Sequence, residues 1–325
     1  MLDSGRGGAF SAAVMALRTL LAAALLLPLA PAAAQDAPIY TTEQDYTPAP
    51  ALWKLADEDT TIYLFGTFHL LPTGFRWRTP QFDRIAAEVD TLVLESSEED
   101  AMASLAALAP KMQSVSEARP RTSQRLSPAL RSSWREMIES SGREFETVDS
   151  MPLALAMLGF DGGGEAEGQS LPELGVENVL SAEFVADGRP IESIENHGAV
   201  MLSLMRIDDA PMLAELSEEL RYWPGAALTR GRSAAVPERD WSMEHAWARG
   251  QIDPGFDLGM GDGKVGTAFQ RVLLARRNEA WSYWLKNRLA RPGTILVAVG
   301  AGHFEGRRSL RYYAEQRGLT IERIN

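Results

Sequence analysis

Apolar positions along this chain fall into two kinds of run. Short uninterrupted runs at 61–65, 91–94 and 295–299 have the length and β-branched content of buried strands. Between about 97 and 290 apolar residues instead recur at three- or four-residue spacing, the mark of helices with one buried face. The first run pairs with 52–55 across an acidic turn at 57–60 and predicts a hairpin. Thr79 and Pro80 predict a helix reaching about Val89, with Thr79 as its cap and Pro80 in its first turn. The strand at 91–94 stops at Glu95, and a further strand predicted from Arg189 stops at Glu195. Helices are expected at 99–109, 128–140, 152–158, 179–186, 200–205, 211–222 and 238–249, with glycine-rich loops at 161–168 and 253–263. A long helix at 267–289 carries Phe269, Val272, Leu273, Ala280, Trp284 and Leu285 near one face. After the strand at 295–299, a helix to about Arg317 and a segment at 319–324 close the sheet.

This order of elements predicts an α/β fold: a central mixed β-sheet flanked by helices, with a large helical insertion, about 97–290, over the strand carboxyl ends. The chain is long enough for one such domain, 51–325, to bury an adequate core.

The amino-terminal segment reads as an address. Arg18 precedes an apolar run at 20–29, and the small residues Ala32 to Ala34 suit signal peptidase cleavage before Gln35, whether translation starts at Met1 or Met15. The run is short and broken by Pro28, which argues against a membrane span. A signal peptide at 1–34, a flexible leader at 35–50, and a periplasmic or secreted destination are therefore expected.

Composition narrows the chemistry. Loss of 1–34 removes Arg6, Arg18 and Asp3 and moves the formal charge from −12 to −13, so nucleic acid is a poor partner. With no cysteine, disulfides, thiolate metal sites and cysteine nucleophiles are excluded, and any metal must be held by nitrogen and oxygen. Two of the four histidines share one setting. Gly66 and His69 follow the strand at 61–65, and Gly300, Gly302 and His303 follow the strand at 295–299. Glycines there permit a sharp exit, and strand carboxyl ends are where open α/β sheets place ligands. Two imidazoles with strand-end carboxylates suit a divalent zinc, manganese, cobalt or iron ion, which would acidify water and polarise a carbonyl. Without a metal, the same imidazole serves as a base oriented by a glutamate.

The set as a whole resembles the TraB/GumN/PrgY family, relatives of the Tiki proteases and, more distantly, of erythromycin esterase-like hydrolases. The resemblance is carried by 64–72, 92–95, 173–177, 190–195, the Arg277 and Asn278 pair, and 297–306, and it spans nearly all of 50–325. It implies metal-dependent hydrolysis of a peptide or related acyl substrate. By position it makes His69, His303 and Glu95 the metal ligands, with Glu95 alternatively the general base. Glu195 becomes a second carboxylate that orients ligand or water, and Arg277 a stabiliser of negative charge or an anchor for a glutamate. One departure is Glu177, where many members carry a shorter aspartate.

Three alternatives accompany this reading. The first is a non-catalytic metal- or peptide-binding protein, and the second a metal-free His/Glu hydrolase. The third, a dinucleotide site at Gly300 and Gly302, is disfavoured because its third glycine falls one residue late, at Gly306.

Overall fold

The computed structural model describes residues 43–160, 171–225, 241–256, 258, 261 and 263–325. Its centre is a six-stranded sheet ordered β4-β3-β5-β2-β1-β6. Strands β2 (Thr60–Thr67), β3 (Thr91–Leu94), β4 (Ile191–Ser193) and β5 (Gly293–Gly300) run parallel. Strand β1 (Leu52–Ala56) runs antiparallel to β2 and to β6 (Glu322–Arg323), which makes the sheet mixed, as expected of the α/β class.

Strand β5 is covered on both faces, which explains its unbroken apolar run. Ile295, Leu296, Val297, Ala298 and Val299 are no more than 1% exposed. Leu296 and Ala298 pack with Phe65, Phe82, Leu92 and Phe184 on one face, beneath helices Pro80–Glu88 and Val176–Ala186. Ile295, Val297 and Val299 pack with Trp53, Leu64, Trp281 and Leu310 on the other, beneath helices Arg276–Arg288 and Leu310–Glu315. The helical insertion gathers a third core around Trp134, Ile138, Phe269 and Leu273, separate from both sheet faces.

Local signals are obeyed closely. Thr79 caps helix Pro80–Glu88 by accepting from the Phe82 N–H at 3.0 Å. Ser97, not Glu95, caps helix Glu98–Glu117, which leaves the Glu95 carboxylate for other partners. That helix runs on through Pro110, past the expected stop at 109. The expected leader also ends sooner than read. Pro48 and Pro50 are buried, the Ala49 N–H donates to the Ala248 carbonyl at 2.7 Å, and Gln44 bonds the Arg76 carbonyl at 2.9 Å. Residues 1–34, the expected signal peptide, lie outside the described residues, as does the loop expected at 161–168.

The largest departure is in the long helix. Helix Lys264–Gln270 passes into a π turn, Arg271–Ala275, before Arg276–Arg288. A π turn adds a residue to the helical repeat, so the inward face shifts in register. Ala280, placed inward by a strict 3.6-residue repeat, is exposed, while Asn278, Trp281, Ser282 and Leu285 are buried. The register predicts different costs along this helix. Ala280→Gln is expected to change the unfolding free energy in urea by under about 0.5 kcal/mol, and Leu285→Ala to lower it by about 2–5 kcal/mol. Equal costs at the two positions would contradict the shifted face.

Candidate functional site

The two histidine turns resemble each other because they occupy equivalent places. Strands β2 and β5 are parallel neighbours in register, with Gly66 opposite Val299 and Thr67 opposite Gly300, so both turns leave the sheet side by side. A Cβ on Gly66 would lie 3.0 Å from the Ala301 Cα, and the bare glycine is what lets the turns approach. Glu95 and Glu195 follow β3 and β4 at the same edge, and the Glu195 N–H donates to the Glu95 carbonyl at 3.2 Å. The four strand-end residues singled out in the sequence thus stand at one end of four parallel strands.

Arg277 joins the two carboxylates. Its Nε and Nη2 donate to the two Glu195 oxygens at 2.8 and 2.7 Å, Nη2 also donates to Glu95 Oε2, and Nη1 donates to the Leu273 carbonyl at 2.9 Å. The π turn explains this reach, because it turns Arg277, Asn278 and Trp281 toward the strand ends together. Trp281 adds an indole N–H to Glu195 at 2.9 Å and lays its ring 4.1 Å from the His303 ring centroid. Burial would raise the Glu95 carboxyl, but Arg277, the two histidines and the Gly300 N–H together outweigh it and hold the group well below the ordinary carboxylate range. Burial pushes the Glu195 carboxyl up, against the pull of Arg277 and of the hydrogen bonds donated by Arg277 and Trp281. Against the cost of burial, the same glutamates hold the Arg277 guanidinium charged.

Each imidazole is tied at Nδ1. The His303 Nδ1 lies 2.6 Å from Asn278 Oδ1, and the Asn278 amide donates to the Arg308 carbonyl at 2.8 Å. That second bond fixes which way the amide faces, so His303 Nδ1 is the donor and Nε2 carries the lone pair. Burial, reinforced by Arg277, holds this imidazole well below its ordinary value and therefore neutral. The His303 Nε2 faces Glu95 Oε1 at 3.6 Å, and that oxygen also accepts the Gly300 N–H at 2.8 Å. The His69 Nδ1 lies 2.8 Å from Glu177 Oε1, which also accepts from the Thr67 hydroxyl. Burial would push His69 down, but Glu177 outweighs it and raises the group to about 9. The His69 Nε2 is buried and has no partner among the described residues.

The site therefore contains Glu177, noted in the sequence only as a departure from the family's aspartate, and Thr67 and Trp281, which the sequence did not mark as site residues. A usable signal existed for Trp281, one helical turn beyond Arg277. His245 instead bonds the Tyr46 hydroxyl at 2.7 Å.

Do these donors suit a metal? Among the described residues His69 Nε2 has no partner and His303 Nε2 carries a lone pair; Glu95 and Glu195 share Arg277 and Glu177 holds His69, so once His69 gives up its extra proton to a bound ion the set has a formal excess of two negative charges. Two neutral imidazoles and that excess fit a divalent cation. Among the described residues no three histidine, aspartate or glutamate side chains are already gathered as a ligand group, since Glu95 is held by Arg277 and the Gly300 amide. The imidazoles are the better-prepared part of the donor set.

The bridge makes a direct prediction. Arg277→Met leaves two carboxylates buried together and is expected to cost about 3–5 kcal/mol in urea unfolding. Adding Glu95→Gln and Glu195→Gln to it should restore most of that loss. An Arg277→Met protein as stable as the wild type would mean that the bridge does not form.

No match was found among curated proteins or among solved structures. Among the described residues no helix is long and apolar enough to cross a membrane. The family pattern described as TraB/PrgY/gumN matches residues 51–323, which include both histidine turns and all the strand-end carboxylates, and the chain belongs to that family.

Proposed function

We propose that this protein is an exported hydrolase of peptide or related acyl bonds that works with a divalent metal ion. The supporting observation is the pair of buried imidazoles, each tied at Nδ1 by an oxygen and standing beside strand-end carboxylates. His69 and His303 would hold the ion through Nε2, with Glu95 as the third ligand. Zinc, manganese, cobalt and iron all accept such nitrogen and oxygen donors. The ion supplies Lewis acidity, polarising a carbonyl and acidifying water.

The remaining roles follow from the hydrogen bonds. Glu95 suits a ligand better than a mobile base, because Arg277 and the Gly300 N–H fix its carboxylate in one orientation. Arg277 has four of the five guanidinium N–H groups committed, so it anchors Glu95 and Glu195 more than it contacts substrate. Glu195 holds Arg277 in that pose. The Trp281 indole and ring do the same for Glu195 and His303.

One observation favours a metal-free hydrolase: the Glu177 and His69 pair has the form of a carboxylate-oriented base. At about 9, however, that imidazole is protonated at neutral pH and cannot accept a proton, whereas a metal ion displaces it. A binding protein without turnover would hold the ion equally well, so turnover must be measured.

Mass spectrometry of the purified protein is expected to find close to one divalent ion per chain, lost in the His69→Ala/His303→Ala variant. Cleavage of a fluorogenic peptide library should be chelator-sensitive and fall at least about a hundredfold in each single variant. Metal without cleavage would favour a binding protein, and His-dependent cleavage without metal would favour the esterase-like alternative. Protein recovered from outside the cytoplasm should begin at Gln35 by amino-terminal sequencing; an intact leader would remove the export part of the proposal.

A further inference from the structure

Of the three carboxylates at the site, two answer to Arg277 and one does not. Glu177 has its own arrangement. Its Oε1 accepts from both His69 Nδ1 and the Thr67 hydroxyl, while its Oε2 is buried without a partner among the described residues. We infer that Glu177, anchored by Thr67, is a positioning residue that fixes the ring orientation and the Nδ1 proton of His69, so that Nε2 is the atom presented to the site.

The backbone makes this placement tight. Glu177 sits in the first turn of helix Val176–Ala186, and that helix cannot drift along the sheet edge. The Val176 N–H donates to the Phe68 carbonyl at 2.9 Å, and a Cβ on Gly175 would fall 2.0 Å from the His69 carbonyl oxygen. Only a glycine fits there. Thr67, 1% exposed, is the last residue of β2, two before His69. Hydroxyl, carboxylate and imidazole are therefore held on one turn and one helix start. A half-turn flip of the His69 ring would replace the Nδ1–H with a carbon and leave Glu177 Oε1 short of a donor.

Asn278 gives an internal comparison. It tethers His303 Nδ1 at 2.6 Å as Glu177 tethers His69 at 2.8 Å, but it is a neutral amide locked to the Arg308 carbonyl. A carboxylate behind an imidazole makes the far nitrogen a stronger donor than an amide does. The two histidines are thus unequal, with His69 the stronger donor.

One arm of the test is independent of metal; the other rests on the proposed function. In metal-free protein with 15N-labelled imidazoles, long-range 1H–15N correlation identifies the His69 Nδ1 proton by its loss in His69→Ala. This proton should be slow to exchange in the wild type, lost in Glu177→Ala, and retained in Glu177→Gln, whose amide oxygen still accepts. Glu177→Asp, shorter by one methylene, should lose it while staying folded, which separates positioning from a general role in stability. In the second arm, Co2+ affinity is measured by competition with a chelator. Glu177→Ala should bind about 10–100-fold more weakly and Glu177→Gln less so. Thr67→Val should also weaken binding, yet add nothing in the Thr67→Val/Glu177→Ala double variant, because Thr67 acts through Glu177. An unchanged slow proton in Glu177→Ala, or additive losses in the double variant, would overturn the inference. A wild type that binds no Co2+ would sink the metal reading instead, and the imidazole arm alone would then decide for or against Glu177.

Discussion

Four strands that end in a histidine or a glutamate at one sheet edge would repel or strand their own charges if nothing bound them together. Arg277 does the binding. It spans Glu95 beyond β3 and Glu195 beyond β4, and both carboxylates are largely shielded from water. Breaking such a buried set is costly because each remaining charge keeps its desolvation penalty without its partner. The guanidinium comes from the long helix, so this one side chain also couples the helical insertion to the sheet. The π turn at Arg271–Ala275 is the device that aims it, since without the extra residue the helix would turn another face to the strand ends.

The topology adds a second constraint. Strand β5 comes near the end of the chain yet lies between β2 and β3, which come near its start. His303 and Gly300, whose amide holds Glu95, arrive only with β5. The site cannot be assembled from a contiguous segment; its two halves meet when the last parallel strand inserts. Such long-range pairing is slow to form, and a sheet centre completed by a late strand depends on the whole chain having been made.

Much of this was legible in the sequence. The hairpin, the helix start at Thr79, the strand at 91–94 and the buried run at 295–299 follow from local periodicity and capping, which act between neighbouring residues. Glu95 and Glu195 were visible as carboxylates that end strands. What stayed hidden depends on distant partners or on backbone geometry without a residue signature. A π turn has no sequence mark, and it sent Trp281 inward where periodicity had placed Ala280. An acidic residue in a helix's first turn is favoured by the helix dipole alone, so Glu177 looked no different from a surface acid until its helix was seen against His69. The threonine hydroxyl of Thr67 gave no signal within a strand-forming run. Pro48 and Pro50 read as leader because the segment is held by distant residues, Ala248 on the Ala49 N–H and Asn325 on the Pro50 carbonyl.

Together, the bridge, the inserted strand and the two tethered imidazoles describe a site in which, among the described residues, His69 Nε2 and Glu177 Oε2 are buried without partners and His303 Nε2 faces Glu95 Oε1 at 3.6 Å. The account turns on what fills the space between those imidazoles. The most direct measurement is anomalous X-ray diffraction, at the absorption edge of the metal found in the purified protein, from crystals grown without added metal. The account predicts one anomalous peak per chain within bonding distance of both His69 Nε2 and His303 Nε2. An anomalous map with no peak there, or with its peak at another group of residues, would contradict it.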